Sequence, residues 1–154
     1  MLVVHIKQIR RLVLLAAGAV IAAILLFALA GCLGKGHGPK PQPIPAATAE
    51  ERMAYLTELG WQAEPDPVET LHLALPRELS GQYGDYTALQ EKQGLPFSSF
   101  AGKTVERYTY ALTNYPGYDG PVQANLYVCD GQLIGGDVTA PGENGFIREL
   151  AFPQ

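Results

Sequence analysis

Four aspartates, Asp85, Asp119, Asp130 and Asp137, stand at turns or strand ends of the sequence pattern. Any two brought within about 10 Å could share acid–base work, and a closer set could hold Ca²⁺. Aspartate is also common in turns for a local reason, because its carboxylate accepts nearby backbone N–H groups. Asp137 differs from the other three in following Gly135 and Gly136, which leave its surroundings open. A second group is aromatic. Tyr108, Tyr110, Tyr115 and Tyr118 could line a groove for a sugar or a peptide, or pack in core and loop with each hydroxyl at the rim. These four tyrosines and Asp137 are the candidate ligand-binding residues.

Other chemistries lack their parts. His5, His37 and His72 are scattered, and no metal-ligand spacing joins them, so no metal and no cofactor is expected. Gly135-Gly136-Asp137 has no lysine and no helix start, both of which a phosphate-binding loop needs. A Cys–His nucleophile would require Cys129 beside His72. Cys129 precedes a turn and falls outside the inward alternation of its strand, which predicts a partly exposed thiol. No catalytic set emerges.

Charge narrows the partners. Residues 1–46 carry Lys7, Arg10, Arg11, Lys35 and Lys40 and no acid. Residues 47–154 carry six bases against fifteen acids, a net charge of −9. Such a domain is repelled by phosphate backbones, which argues against nucleic acid as a partner.

The basic part frames an apolar run. No charge occurs from Leu12 to Gly34, 23 positions. As a helix this run would span roughly 30 Å, the thickness of a bilayer's hydrocarbon core. Positive charge before it is retained on the cytoplasmic side. The expected organisation is therefore a cytoplasmic basic tail over 1–11, a membrane segment over 12–33, a Gly/Pro-rich tether over 34–46 and an extracytoplasmic domain over 47–154. Two kinds of anchor fit. One is an uncut transmembrane helix. The other rests on Leu29-Ala30-Gly31-Cys32, which resembles the bacterial lipoprotein signal, in which the cysteine receives a diacylglycerol and the chain is cut before it. The apolar run ahead of that box is longer than in most cleaved signals. Mass spectrometry of the mature N-terminus separates the two, by an intact Met1 or a diacylated Cys32.

In the domain, Thr48 and Glu51 have capping-box spacing, and Met53, Leu56 and Leu59 recur at threes before Gly60, which predicts a helix. Trp61 should seal the end of a core. Val68–Leu75 alternates as a strand with His72 on its polar side. Tyr83, Tyr86 and Leu89 predict a short helix closed by Gly94. Lys103–Thr113 and Val122–Cys129 alternate again. Asp130-Gly131 then predicts a type I′ hairpin into a return strand over Gln132–Thr139, with a bulge or close approach at Gly135-Gly136. The sum is an α+β domain, an antiparallel sheet of about four strands covered on one face by one or two helices.

Several of these segments resemble a known family. They are Tyr55-Leu56…Leu59-Gly60-Trp61, Tyr86…Leu89-Gln90…Gln93-Gly94, Tyr108-Thr109-Tyr110…Asn114-Tyr115-Pro116 and Ile134-Gly135-Gly136-Asp137. Together they look like the bacterial family of unknown function numbered 4830, over residues 50–150. The resemblance implies a small envelope-facing domain behind an N-terminal membrane segment, with no catalytic residues to carry over. The expectation is a non-enzymatic module that binds an envelope protein, a peptide or a wall component. The alternative is a carboxylate-dependent hydrolase.

Overall fold

The computed structural model describes residues 42–142 and 145–153. The expectations for 1–11, 12–33, Cys32 and the tether up to residue 41 lie outside the described residues. No helix among the described residues is long and apolar enough to cross a membrane.

Helix α1 (Ala49–Glu58) forms where the caps predict it. The Glu51 N–H donates to Thr48 Oγ1 at 3.2 Å, and the Thr48 N–H donates to Glu51 Oε2 at 3.1 Å. Gly60, with φ +96°, turns the chain out of the helix. Trp61 is then buried, and its indole N–H donates to the Leu150 carbonyl at 2.6 Å.

Among the described residues the sheet holds six strands, all paired antiparallel: β1 (Ile44–Pro45), β2 (Glu69–Ala74), β3 (Thr104–Leu112), β4 (Val122–Cys129), β5 (Gln132–Ala140) and β6 (Phe146–Arg148). Their spatial order is β1-β5-β4-β3-β2, with β6 on β5 beyond β1. The expected four strands are thus joined by two short ones. β1 lies in residues that the sequence pattern assigns to the tether, and Ala46 beside it is buried. Two and three residues are too few to show a period.

Between β4 and β5, Asp130 (φ 51°) and Gly131 (φ 76°) both take positive φ, as a type I′ turn requires. The bulge is real. Val128 pairs with Leu133 and Tyr127 with Gly135, which leaves Ile134 as the extra residue.

The pairing divides the side chains between two faces, and each face takes a helix instead of the single covered face expected. On one face α1 lays Leu56 over Tyr110, Ala124, Leu126 and Val138, all buried. On the other, helix α2 (Gly84–Lys92) and the 3₁₀ turn Phe97–Phe100 cover Val105, Cys129 and Ile134. The second covered face escaped prediction because its strand positions include Arg107, Thr109 and Asn125, which read as solvated.

Helix α2 also closes an edge. β5 is paired by β1 at Leu133 and by β6 from Val138, but between them Gly136 faces neither strand. Two glutamines substitute for one. Gln90 Oε1 accepts the Gly136 N–H at 2.8 Å, and Gln93 Nε2 donates to the Gly136 carbonyl at 3.0 Å. Gln93 Oε1 then accepts the Leu150 N–H at 2.7 Å.

Candidate functional site

The α2 face of the sheet is built in rungs. The register places Glu69, Thr109, Asn125 and Asp137 directly opposite one another across β2, β3, β4 and β5. The next rung is Leu71, Arg107, Tyr127 and Gly135. Side chains on a rung of an antiparallel sheet stand close enough to bond directly. Thr109 Oγ1 donates to Asn125 Oδ1 at 2.8 Å, and Asn125 Nδ2 donates to Asp137 Oδ1 at 2.8 Å. Thr139 Oγ1 donates to the same oxygen, and the Tyr86 hydroxyl reaches down from α2 to Asp137 Oδ2 at 2.7 Å. Asp137 is only 2 % exposed. Three donors on one buried carboxylate repay the cost of burying it.

Above these rungs lies a cleft of about 870 Å³ between α2 and the sheet. Arg107, Asn125, Tyr127, Asp137 and Thr139 form its polar floor, and Leu73, Leu75, Leu89, Phe97 and Ile147 its apolar walls. Tyr86, Phe97 and Tyr127 meet mutually edge-on, with ring centroids 5.3 to 5.9 Å apart. Gly135 makes this possible, because a Cβ there would stand 2.7 Å from the Phe97 ring. The Arg107 guanidinium pairs with Glu69, while its Nε is buried and has no partner among the described residues.

No protein-family model, curated protein or solved structure matches this chain.

The tyrosines of the cleft are held neutral. Burial pushes the Tyr86 hydroxyl far above the ordinary tyrosine range, and the Asp137 charge adds to it. Burial also raises Tyr127, again with Asp137, while Tyr86 and Arg107 hold it partly back. The folded state therefore keeps protons that the unfolded chain gives up above pH about 10. The tyrosine contribution to stability is expected to fall as pH rises through about 10, by up to about 1.4 kcal/mol per pH unit for each tyrosine. Urea midpoints across that range check it, and Tyr86→Phe should flatten the alkaline slope.

The expected site residues separate. Asp137 lies in the cleft. Tyr108 and Tyr110 lie on the opposite face, under α1. There the Arg52 guanidinium carbon sits 3.6 Å from the Tyr108 ring centroid and Arg52 Nε donates to the Tyr110 hydroxyl at 2.9 Å. Tyr110 is fully buried. Tyr115 and Tyr118 pack with Phe146 and, through Tyr115, on Trp61.

Of the four aspartates, Asp137 and Asp85 line the cleft, Asp85 being exposed in the first turn of α2. Asp119 is exposed, and Asp130 pairs with Lys103 at 3.4 Å. Both oxygens of Asp137 are already occupied by donors, which suits a positioning role better than proton transfer.

Cys129 is buried, contrary to the partial exposure expected, because it packs with Val105, Ile134 and Phe97. Burial, then the Asp130 charge, raises its thiol pKa. His72 is exposed beside Glu106, and the two strand positions put it and Cys129 on opposite faces. Among the described residues no group of His, Cys, Asp and Glu could hold a metal.

Sequence reading missed Arg107, Asn125, Tyr86 and Tyr127. The available signal was phase: Arg107 and Thr109 alternate on β3 as Asn125 and Tyr127 do on β4.

Proposed function

We propose that this chain is a non-enzymatic binding module, held at the bacterial envelope by its N-terminal apolar run, that takes its ligand in the cleft between α2 and the sheet. The resemblance to family 4830 supports the same placement. One observation carries the reading: an arginine at the cleft floor keeps a buried donor, Nε, without a partner among the described residues. A buried donor left unpaired costs about 1–3 kcal/mol, and a ligand oxygen would recover it. The walls supply apolar contact for the rest of the ligand, the combination common to binding clefts. A carboxylate-dependent hydrolase fits less well, since Asp137 is saturated with donors and Asp85 stands at the mouth.

The test is a screen of envelope peptides and wall fragments against the isotope-labelled full chain in detergent micelles. The expected hit shifts Arg107, Tyr127 and Thr139 together and loses about tenfold in affinity in Arg107→Gln. Hits that leave those three residues unmoved would overturn the reading.

A further inference from the structure

The sheet's edges are not treated alike. On the β5 side, β1 and β6 are two and three residues long, and the gap between them is filled by Gln90 and Gln93. The end of β3 is covered by Gln62–Glu64, whose backbone bonds to Ala111 and Thr113 at 2.9 Å. β2 is different. It offers six residues with no lysine, no proline and no bulge inside the strand. Those are the devices that usually blunt an edge.

The register shows which groups it offers. The Leu75 N–H donates to the Lys103 carbonyl at 2.8 Å, so Leu73 and Leu71 likewise spend their backbone groups on β3. The N–H and C=O groups of Thr70, His72 and Ala74 point the other way. All three residues are exposed, and no backbone hydrogen bond among the described residues reaches them from outside the sheet. Val68, which leads into the strand, is 56 % exposed, and Ile147 on the cleft wall is 61 % exposed. They are the large hydrophobics left most open among the described residues.

Charge selects the occupant. From Glu64 to Asp85 the exposed acids are Glu64, Asp66, Glu69, Glu78 and Asp85, against Arg77; Glu69 is already paired with Arg107 on β3, and the other four still outweigh Arg77. Glu106 lies beside His72. A second copy of the chain would bring the same acids to the same edge and be repelled. A cationic chain would not.

We infer that β2 is a docking edge for an extended, lysine- or arginine-rich peptide segment, which adds to the sheet as a further strand antiparallel or parallel to β2. Its backbone bonds Thr70, His72 and Ala74, and its alternate side chains lie on the α2 face, between Glu69 and the cleft mouth at Asp85. This rests on the cleft reading, whose ligand it names. Strand addition draws affinity from main-chain hydrogen bonds and specificity from side chains at every second position.

The test uses the full chain in micelles and synthetic peptides of about ten residues, a strand's usual upper length, with lysine alternating with valine or threonine. The lysine peptide is expected to shift the amides of Thr70, His72 and Ala74. A glutamate counterpart should bind at least about tenfold more weakly. His72→Pro removes one outward N–H at an edge, where proline is tolerated, and should cost about tenfold or more. His72→Ala keeps that N–H and should bind normally. N-methylation of the peptide's alternate amides should abolish binding in one phase and spare it in the other, whatever His72→Pro does to folding.

Equal binding of the glutamate peptide would overturn the cationic class. Binding that shifts only Arg107, Tyr127 and Thr139, and ignores both His72→Pro and N-methylation, would overturn strand addition and leave the cleft reading standing. A dimer that His72→Pro dissociates would give the edge to a second copy and overturn the proposal. Absence of any peptide binding overturns it too. The cleft reading then falls only if no other ligand moves its floor.

Discussion

Arg52→Met is expected to lose about 3–4 kcal/mol of folding stability, a large share of the roughly 5–15 kcal/mol that a domain possesses. Arg52 is a buried cation in the first turn of α1. Its Nε donates to the Tyr110 hydroxyl, and its Nη1 donates to the carbonyls of Ala46 (2.8 Å) and Ala47 (3.0 Å). The guanidinium also lies over the Tyr108 ring. Methionine fills much of the volume but answers none of the three oxygens, two of which are buried backbone or core groups. The effect should extend beyond α1, because the Ala46 and Ala47 carbonyls hold the chain where it leaves β1. Arg52→Lys should recover less than half of the loss, since one ammonium cannot present the fork that reaches hydroxyl and carbonyls together. Urea unfolding of the three proteins measures this. A midpoint shift for Arg52→Met below about 0.5 M would remove the assigned role.

Gly136→Ala is expected to prevent the folded domain from accumulating. A Cβ on Gly136 would stand 2.5 Å from Leu150 Cδ1 and 2.7 Å from the Asn125 carbonyl oxygen. The leucine could turn aside at the cost of its place in the core. The carbonyl cannot, because Asn125 is fixed in the middle of β4 between two paired strands. Moving it would break the rung that carries Asp137, so the cost is several kcal/mol by overpacking and loss of the network combined. Gly84→Ala is the matched control. Nothing lies within 4 Å of its added Cβ, it begins α2 with φ −61°, and alanine there should be neutral or stabilising by up to about 1 kcal/mol. Thermal melts and the yield of folded protein decide the comparison. A Gly136→Ala domain as stable as Gly84→Ala would contradict the close packing of β5 on β4.

What the sequence made legible was local. Thr48 and Glu51 announce a helix start, Gly60 its stop and Asp130-Gly131 a turn, because each acts within a few residues of itself. The double glycine at 135 and 136 likewise declares a bulge. The cleft was not legible for a physical reason. Thr109, Asn125 and Asp137 are separated by 16 and 12 residues and become neighbours only through register across three strands. Taken strand by strand, each is a polar residue on an outward phase. The tyrosines misled in the opposite sense. Tyr108 and Tyr110 share a phase on β3 and read as a groove, but Arg52, 58 positions before Tyr110, fills the space over them. The two short strands β1 and β6 carry too few residues for any period and exist only because β5 offers them an edge.

The glutamines of α2 give that helix a second duty. By holding the Gly136 N–H and carbonyl, Gln90 and Gln93 make the docked helix the guard of an otherwise bare stretch of strand. The same helix is the roof of the cleft. Opening the cleft by lifting α2 and baring that stretch are thus one movement. A wider mouth is bought with a sticky flank, and the binding surface can breathe only as far as the protein can tolerate an exposed template for another chain.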